Sequence, residues 1–324
     1  VESVNAGAQG VALQLAQLRY EAHQIVSFEL VDPDGRPLPS FTAGAHIDVL
    51  LPEARVRSYS LLNDPVETHR YVIAVQRDAA GKGGSIWMHD VPRVGSLMYA
   101  RPPANDFPLA EAASTSFFLA GGIGITPVLA MVRRLCALGK PWHLVYAARS
   151  ARHAAFVAEL RRLAQAGHGR FDLWLDDERG RPLDIPGTLA EVDAEADVYC
   201  CGPKGMIDAF LDAASGRPEA RVHYERFGAA GPAATQGGYA VVLARTGQRL
   251  SVPAGKTILD VLTENDVDVQ YACSSGVCGT CRTIVIEGVP DHRDDYLTEE
   301  ERQRNDCIMV CCSGSRSAEL VLDL

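Results

Sequence analysis

Cys273-Ser-Ser-Gly-Val-Cys278-Gly-Thr-Cys281, followed after 29 further residues by Cys311, decides how the last part of this 324-residue chain folds. C-x4-C-x2-C with a distant fourth cysteine is a spacing with which thiolates hold a 2Fe–2S cluster. Gly276 and Gly279 let the loop bend tightly enough to aim amide N–H groups at cluster sulfurs. Structural zinc also takes four thiolates, but its ligands usually come as two short pairs, whereas here three cysteines share one loop. The spacing favours Cys311 as the fourth ligand over its neighbours Cys312 and Cys307, which read as bystanders. A zinc-bound interaction module is the competing reading of this segment.

With 47% hydrophobic and 22% charged residues, the chain has the composition of a globular protein long enough for two or three cores. The longest uncharged stretch, residues 114–132, is broken by Gly121-Gly122-Ile123-Gly124-Ile125-Thr126-Pro127, so it reads as a buried strand, a turn and a helix start, and no membrane span is expected. Nor is a secretory leader expected, because no basic segment precedes an apolar one at the N-terminus. Nine cysteines do not form a disulfide framework, and a thiolate-held cluster needs reduced thiols, which points to the cytoplasm. A net charge of −10 argues against nucleic acid as a partner.

Working back from the cysteines, three segments differ in rhythm. Up to residue 104, short β-like runs at 27–31, 46–51, 58–62 and 71–76 are punctuated by Asp32-Pro33-Asp34-Gly35 and Asn63-Asp64-Pro65, which suggests an antiparallel barrel. From 105 to 228, strands at 117–120, 142–147, 171–175, 197–200 and 220–224 alternate with helical stripes such as Val128, Met131, Val132 and Leu135, the pattern of a parallel sheet covered by helices. Residues 229–237 are uncharged and rich in Gly and Ala, and read as a linker. The remainder, 238–324, opens with a hairpin and a helix start at Thr257-Ile-Leu-Asp260 that fits a capping box.

Two glycine-bearing segments suit phosphates. Arg57-Ser58-Tyr59-Ser60 is followed by Gly83-Gly84-Ser85 before the helical run 86–89. An arginine and the free N–H groups of a helix start can hold a phosphate, and a tyrosine beside them can cover a planar ring. Gly121-Gly122-Ile123-Gly124 lies where a strand turns into a helix, which lets backbone approach a pyrophosphate; Pro127 occupies the third glycine position of the Rossmann fingerprint, so the loop is of another kind. His46, His89 and His223 lack ligand spacing, Cys136 and Cys200 read as packed small hydrophobes, and the acidic run 291–301 reads as a solvated face.

In this order, R-x-Y-S, G-G-x-G-x-T-P, Cys201-Gly202-Pro203, Glu225-Arg226-Phe227 and the cysteine motif make the chain resemble the class IA reductases of Rieske oxygenase systems, in the ferredoxin reductase superfamily. The resemblance implies a multidomain fold: an FMN-binding antiparallel β-barrel at 1–104, an NAD-binding α/β domain at 105–228, and an α+β (β-grasp) plant-type ferredoxin at 238–324. It implies that Arg57, Ser58, Tyr59, Ser60, Gly83, Gly84 and Ser85 hold FMN, and that Gly121, Gly122, Gly124, Thr126, Arg149, Gly202 and Pro203 meet NADH. Phe227 would shield the flavin face, with Thr126 and Cys201 beside the reacting ring, while Cys273, Cys278, Cys281 and Cys311 bind the 2Fe–2S cluster. Electrons would run from NADH through FMN and the cluster to a terminal Rieske non-haem iron oxygenase acting on an aromatic compound, with the reductase a monomer. A departure from relatives is Ser274, where a charged residue is common. Arg149, Ser150 and Arg152 leave room for NADPH. The rival within the superfamily is an FAD-type reductase, which usually carries its ferredoxin first.

Overall fold

A computed structural model describes residues 10–52, 55–79, 81, 83–167, 169–227, 233–271, 273–277 and 279–324. Cys278 and residues 228–232 of the glycine-rich stretch lie outside the described residues. The chain divides into two compact units after Phe227.

The first unit opens with strands β1 (Val11–Ala22), β2 (Ile25–Val31), β3 (His46–Leu50), β4 (Val56–Ser60), β5 (Tyr71–Gln76) and β6 (Leu97–Ala100), with helix α1 (Gly84–Asp90) between β5 and β6. Among the described residues they pair antiparallel in the order β4-β3-β6-β1-β2-β5. Leu61 bridges to Ile73 and the Leu62 N–H donates to Val72 O, so the two ends of that order meet and the sheet closes. The period-two pattern of Leu13 and Leu15, Phe28 and Leu30, Ile47 and Val49, and Ile73 and Val75 fills the interior. The register of β1 shifts between Leu15 and Gln17, and there the alternation of its side chains breaks.

Next come β7 (Ser116–Gly121), α2 (Ile125–Ala137), β8 (Trp142–Ala148), α3 (Val157–Ala166), β9 (Gly169–Leu175), α4 (Asp176–Arg179), α5 (Ile185–Ala190), β10 (Asp197–Gly202), α6 (Lys204–Ala214) and β11 (Val222–Arg226). Their strands are parallel in the order β11-β10-β7-β8-β9. One sheet face carries Phe118, Tyr146 and Tyr199 under α2 and α3, and the other carries Phe117, Leu119 and Val198 under α5 and α6. Several strand limits differ from expectation, with β2 and β9 each starting two residues early. The strand expected at 220–224 begins only at Val222, because Glu219–Arg221 forms a 3-10 turn, and the one expected at 58–62 runs over Val56–Ser60. Helix α2 starts at Ile125, ahead of Pro127, since proline is tolerated in a first turn whose N–H groups have no helical partner.

Barrel and sheet share a core: Ala22, Ile25, Leu62 and Ala74 of the barrel pack in one cluster with Phe118, Val128 and Val132 of the sheet layer. They form one body, with the space between them built in.

The second unit contains β12 (Tyr239–Leu243), β13 (Arg249–Val252), α7 (Ile258–Glu264), β14 (Arg282–Glu287), β15 (Pro290–Asp291), α8 (Glu299–Arg304), β16 (Cys307–Met309), β17 (Gly314–Ser315) and β18 (Glu319–Leu322). Its mixed sheet, ordered β13-β12-β18-β14-β16, packs Val241, Leu250, Leu320 and Ile308 with Ile258 and Leu262 of α7. The expected capping box is present: the Thr257 side chain accepts from Asp260 N–H at 3.1 Å, and Asp260 accepts from Thr257 N–H at 2.8 Å. Of the stretch read as linker, Ala234 is buried and its N–H donates to Cys312 O at 2.8 Å, so that end is laid onto the second unit.

A chain ending after residue 230 is therefore expected to fold alone, melting in one cooperative transition with its barrel and parallel sheet intact. Circular dichroism on heating checks this; a shortened chain without a cooperative transition contradicts it.

Candidate functional site

Strand order in the parallel sheet reverses between β7 and β10, which is where open α/β sheets place ligands, at the carboxyl ends of the strands. Gly121 and Gly202 end those two strands. A Cβ on Gly124 would overlap the carbonyl oxygen of Cys201, so only glycine lets the start of α2 press directly on the end of β10. Gly122 has φ +55°, a conformation glycine adopts without strain. Around these glycines lies a cavity of about 640 Å³, walled on the sheet side by Gly202, Pro203, Arg149 and Asp176 and on the barrel side by His23, Ile25 and Gln76, with Phe227 on its lining.

Phe227 follows β11 directly and packs against the shared core. Thr126 is buried and its hydroxyl donates to Ile123 O at 3.0 Å, so it braces the glycine turn from within. Cys201 is fully buried with its thiol 4.0 Å from Glu225 Oε2. Neither Thr126 nor Cys201 is on the cavity wall, whereas Gly121, Gly122, Gly124, Arg149, Gly202, Pro203 and Phe227 are.

The barrel motif fits a phosphate-bearing planar group. A side chain on Gly84 would meet Cγ and Nε of Arg57 at 3.0 Å, and one on Gly83 would meet Arg55 at 3.2 Å, so two guanidinium groups lie against the bare start of α1. Burial pushes the Tyr59 phenol up to about 12, against the opposing pull of Arg57. The Ser60 hydroxyl is buried and has no hydrogen-bond partner, a polar atom ready for one. Ser58 is engaged elsewhere, donating to Asp48 at 2.6 Å, and the Ser85 hydroxyl accepts from Asp78 N–H at 3.0 Å. The orphaned Ser60 and the two arginines suit a flavin phosphate and ring edge.

In the second unit, Cys281 and Cys311 are buried, Cys273 is half-buried, and the loop turns through Ser274, Gly276 and Gly279, all at positive φ. The thiols of Cys281 and Cys311 are hydrogen-bonded to each other, and this contact, with burial and the nearness of Cys273, holds the Cys281 proton far above the usual thiol range. Thiols that resist ionising together suit iron, whose positive charge removes that cost. Cys312 turns toward Met309 O and the Ser313 hydroxyl, both at 3.8 Å, and Cys307 is bonded to Arg282 and Asp306. Among the described residues, which leave out Cys278, no three side chains converge on one ion position. No helix among those residues is long and apolar enough to cross a membrane.

Residues 118–212 match the oxidoreductase NAD-binding domain family, and residues 241–314 match the 2Fe-2S iron-sulfur cluster binding domain family. Phthalate dioxygenase reductase of Burkholderia cepacia is 41% identical over 96% of this chain and 97% of its own. A solved phthalate dioxygenase reductase, described as a modular structure for electron transfer from pyridine nucleotides to [2Fe-2S], superposes with a TM-score of 0.84 at 39% identity, covering 97% of this chain and 98% of that one. The chain belongs to the oxygenase-reductase family. Phenoxybenzoate dioxygenase subunit beta of Ectopseudomonas oleovorans, 49% identical over 97% of each chain, is a further relative.

Membership of this reductase family gives the cavity an occupant class, and it draws notice to residues the motifs did not reveal. Arg55 is a second cation at α1, His23 reaches the cavity from the barrel, and Asp176 faces it from the end of β9. Glu225 stands apart, because an acid within Glu225-Arg226-Phe227 looks like surface until the fold closes over it. The expected bystander histidines are ordinary: His89 bonds Val75 O and His223 bonds Asp197, each at 2.9 Å.

Burial, with Asp106 adding repulsion, pushes the Glu225 carboxyl up to about 8. The folded chain thus keeps a proton that the unfolded chain releases near pH 4.5. The stability this group contributes is full below that range and is lost as pH rises through about 8. Glu225→Gln is expected to flatten the fall in melting temperature between pH 5 and 8; an unchanged slope contradicts a raised proton affinity at this half-buried acid.

Proposed function

We propose that the chain is an NADH-dependent reductase that binds FMN in its barrel and a 2Fe–2S cluster in its second unit, and that it serves a terminal Rieske oxygenase in aromatic-compound catabolism. The observation that carries this reading is the cavity of the first unit, where the pyrophosphate-type glycine turn, the barrel and Phe227 meet in one shared-core body. When bound, FMN takes up two electrons as hydride and gives them up singly to the cluster, which carries one at a time.

The chain's own residues bind, orient and exclude. The backbone at residues 121–124 and 202 approaches the nucleotide pyrophosphate, with Arg149 and Pro203 beside it. Arg57, with Gly83, Gly84 and Ser85, receives the flavin phosphate; Tyr59 flanks the ring and the orphaned Ser60 hydroxyl bonds its edge. Phe227 keeps water from the flavin face and moves aside for nicotinamide, since donor and acceptor must come within roughly 3–3.5 Å. Thr126 and Cys201 act from behind the wall, holding the glycine turn and the end of β10 in place. Cys273, Cys278, Cys281 and Cys311 ligate the cluster. Asp176, a carboxylate on the cavity wall, disfavours a 2′-phosphate and supports NADH over NADPH. The domain limits of this reading are 1–104, 105–228 and 238–324, with 229–237 between the last two, in a cytoplasmic monomer.

The flavin released on denaturation is expected to be FMN in stoichiometric amount, identified by chromatography; FAD would favour the rival reductase type. Arg57→Ala is expected to weaken flavin retention more than tenfold, because a charge-assisted phosphate contact is worth roughly 1.5–3 kcal/mol. Cys311→Ser is expected to abolish iron–sulfur absorption and Cys312→Ser to preserve it; the reverse result would move the fourth ligand.

A further inference from the structure

Asp294 sits in the acidic run expected to be a solvated face, yet it is only 3% exposed and its side chain is fully enclosed. Both carboxylate oxygens are used. Oδ1 accepts from the Ser313 hydroxyl at 3.3 Å, and Oδ2 accepts from the N–H groups of Leu297 at 2.8 Å and Tyr296 at 3.2 Å.

The backbone beside it reaches both segments that carry cluster cysteines. Asp295 N–H donates to Gly276 O at 3.0 Å, inside the loop of Cys273 and Cys281. Arg293 N–H donates to Ser313 Oγ at 3.0 Å, two residues past Cys311, and β15 pairs with β17 just beyond. A Cβ on Gly276 would lie 2.5 Å from Cys312 Sγ and 3.0 Å from Asp294 Cα, so loop, strap and cysteine segment meet at one point. Ring carbons of Tyr296, from the same strap, press on Gly279.

The countercharge is Arg302 of α8. Its guanidinium donates to Asp294 O at 2.5 Å and stands 3.8 Å from Oδ2, while its Nε is buried without a partner. His292 Nδ1 is 3.8 Å from Oδ1, in a side chain 9% exposed whose two ring nitrogens have no hydrogen-bond partner. Little water reaches the Asp294 carboxylate to screen it, while the Arg302 side chain is partly exposed.

We propose that Asp294 is a positioning residue for the iron–sulfur centre, which clamps the two cysteine-bearing segments together and, with Arg302 opposing it, sets how readily the centre accepts its electron. Enclosed charges are weakly screened, and cluster potentials follow net charge and hydrogen bonding around the sulfurs. A fixed carboxylate makes an added electron less welcome; the guanidinium beside it does the opposite. In the step concerned the centre gains one electron from reduced flavin, and no protein bond forms or breaks.

This inference rests on the cluster reading, and the experiment separates the two. The holoprotein and two variants are titrated by dye-mediated reduction, following iron–sulfur absorption and the paramagnetic signal of the reduced centre. Asp294→Asn is expected to raise the equilibrium constant for reduction about tenfold, about 59 mV upward for one electron. Arg302→Gln is expected to shift it the other way. A clamp without electrostatic influence would move neither midpoint, and midpoints that stay put or shift in the same direction overturn the proposal. Should Asp294→Asn fail to keep its cluster, the partly exposed Arg302 still decides: a downward midpoint in Arg302→Gln supports the proposal and an unchanged one overturns it. Wild-type protein without iron–sulfur absorption would instead defeat the cluster reading itself.

Discussion

Contact between the backbone of Gly124 and the carbonyl of Cys201 is the constraint on which the first unit depends. It brings the start of α2 onto the end of β10 at the point where the sheet order reverses, leaving Gly121 and Gly202 with no side chains between backbone and cavity. Any Cβ there would push the helix off the strand. The barrel is held to this edge through Ile25, Leu62 and Ala74 in a shared core, so β4 and the glycine turn belong to one compact unit, and Phe227 emerges from β11 within it. A hydride transfer that tolerates little misplacement is served by such a body.

The second unit solves a different problem. Cluster ligands come from two segments far apart in sequence, which the sheet joins at one end by pairing Arg282 of β14 with Met309 of β16. The strap through Asp294 adds a second tie, hydrogen-bonding to Gly276 on one side and Ser313 on the other. Thiols held close together in a buried loop cannot ionise together easily, and the cost that raises the Cys281 proton affinity is relieved by bound iron. Placement of the ligands and tuning of the centre thereby fall to the same few residues.

Much of this was legible in the sequence, for physical reasons that differ from element to element. The parallel strands announce themselves by buried apolar runs, and β5 is readable to the residue because turns bound it sharply. The cysteine loop was readable because metal geometry permits few spacings. By contrast, β1 is the longest strand in the chain's first unit yet went unread, since the register shift after Leu15 breaks its alternation. Asp294 was hidden for another reason: an acidic residue carries no local mark of the burial that tertiary contacts impose on it. Motif reading gathered the glycine turn, Arg149, Gly202, Pro203 and Phe227 of the cavity wall, but it also included Thr126, Cys201 and Ser58, whose side chains serve the scaffold. Likeness to relatives identifies a position, while geometry identifies which way its side chain is occupied.

In the proposed function, electrons enter at the cavity and leave through the cysteine-bound centre, with the flavin as the obligatory connection. Anaerobic addition of NADH to the full chain, followed by visible absorption and electron paramagnetic resonance, tests it most directly. Bleaching of flavin absorption together with the signal of a reduced 2Fe–2S centre is the predicted result, with the centre staying oxidised in protein stripped of flavin. Reduction of the centre by NADH in the flavin-free protein, or flavin bleaching that never reaches the centre, would contradict it.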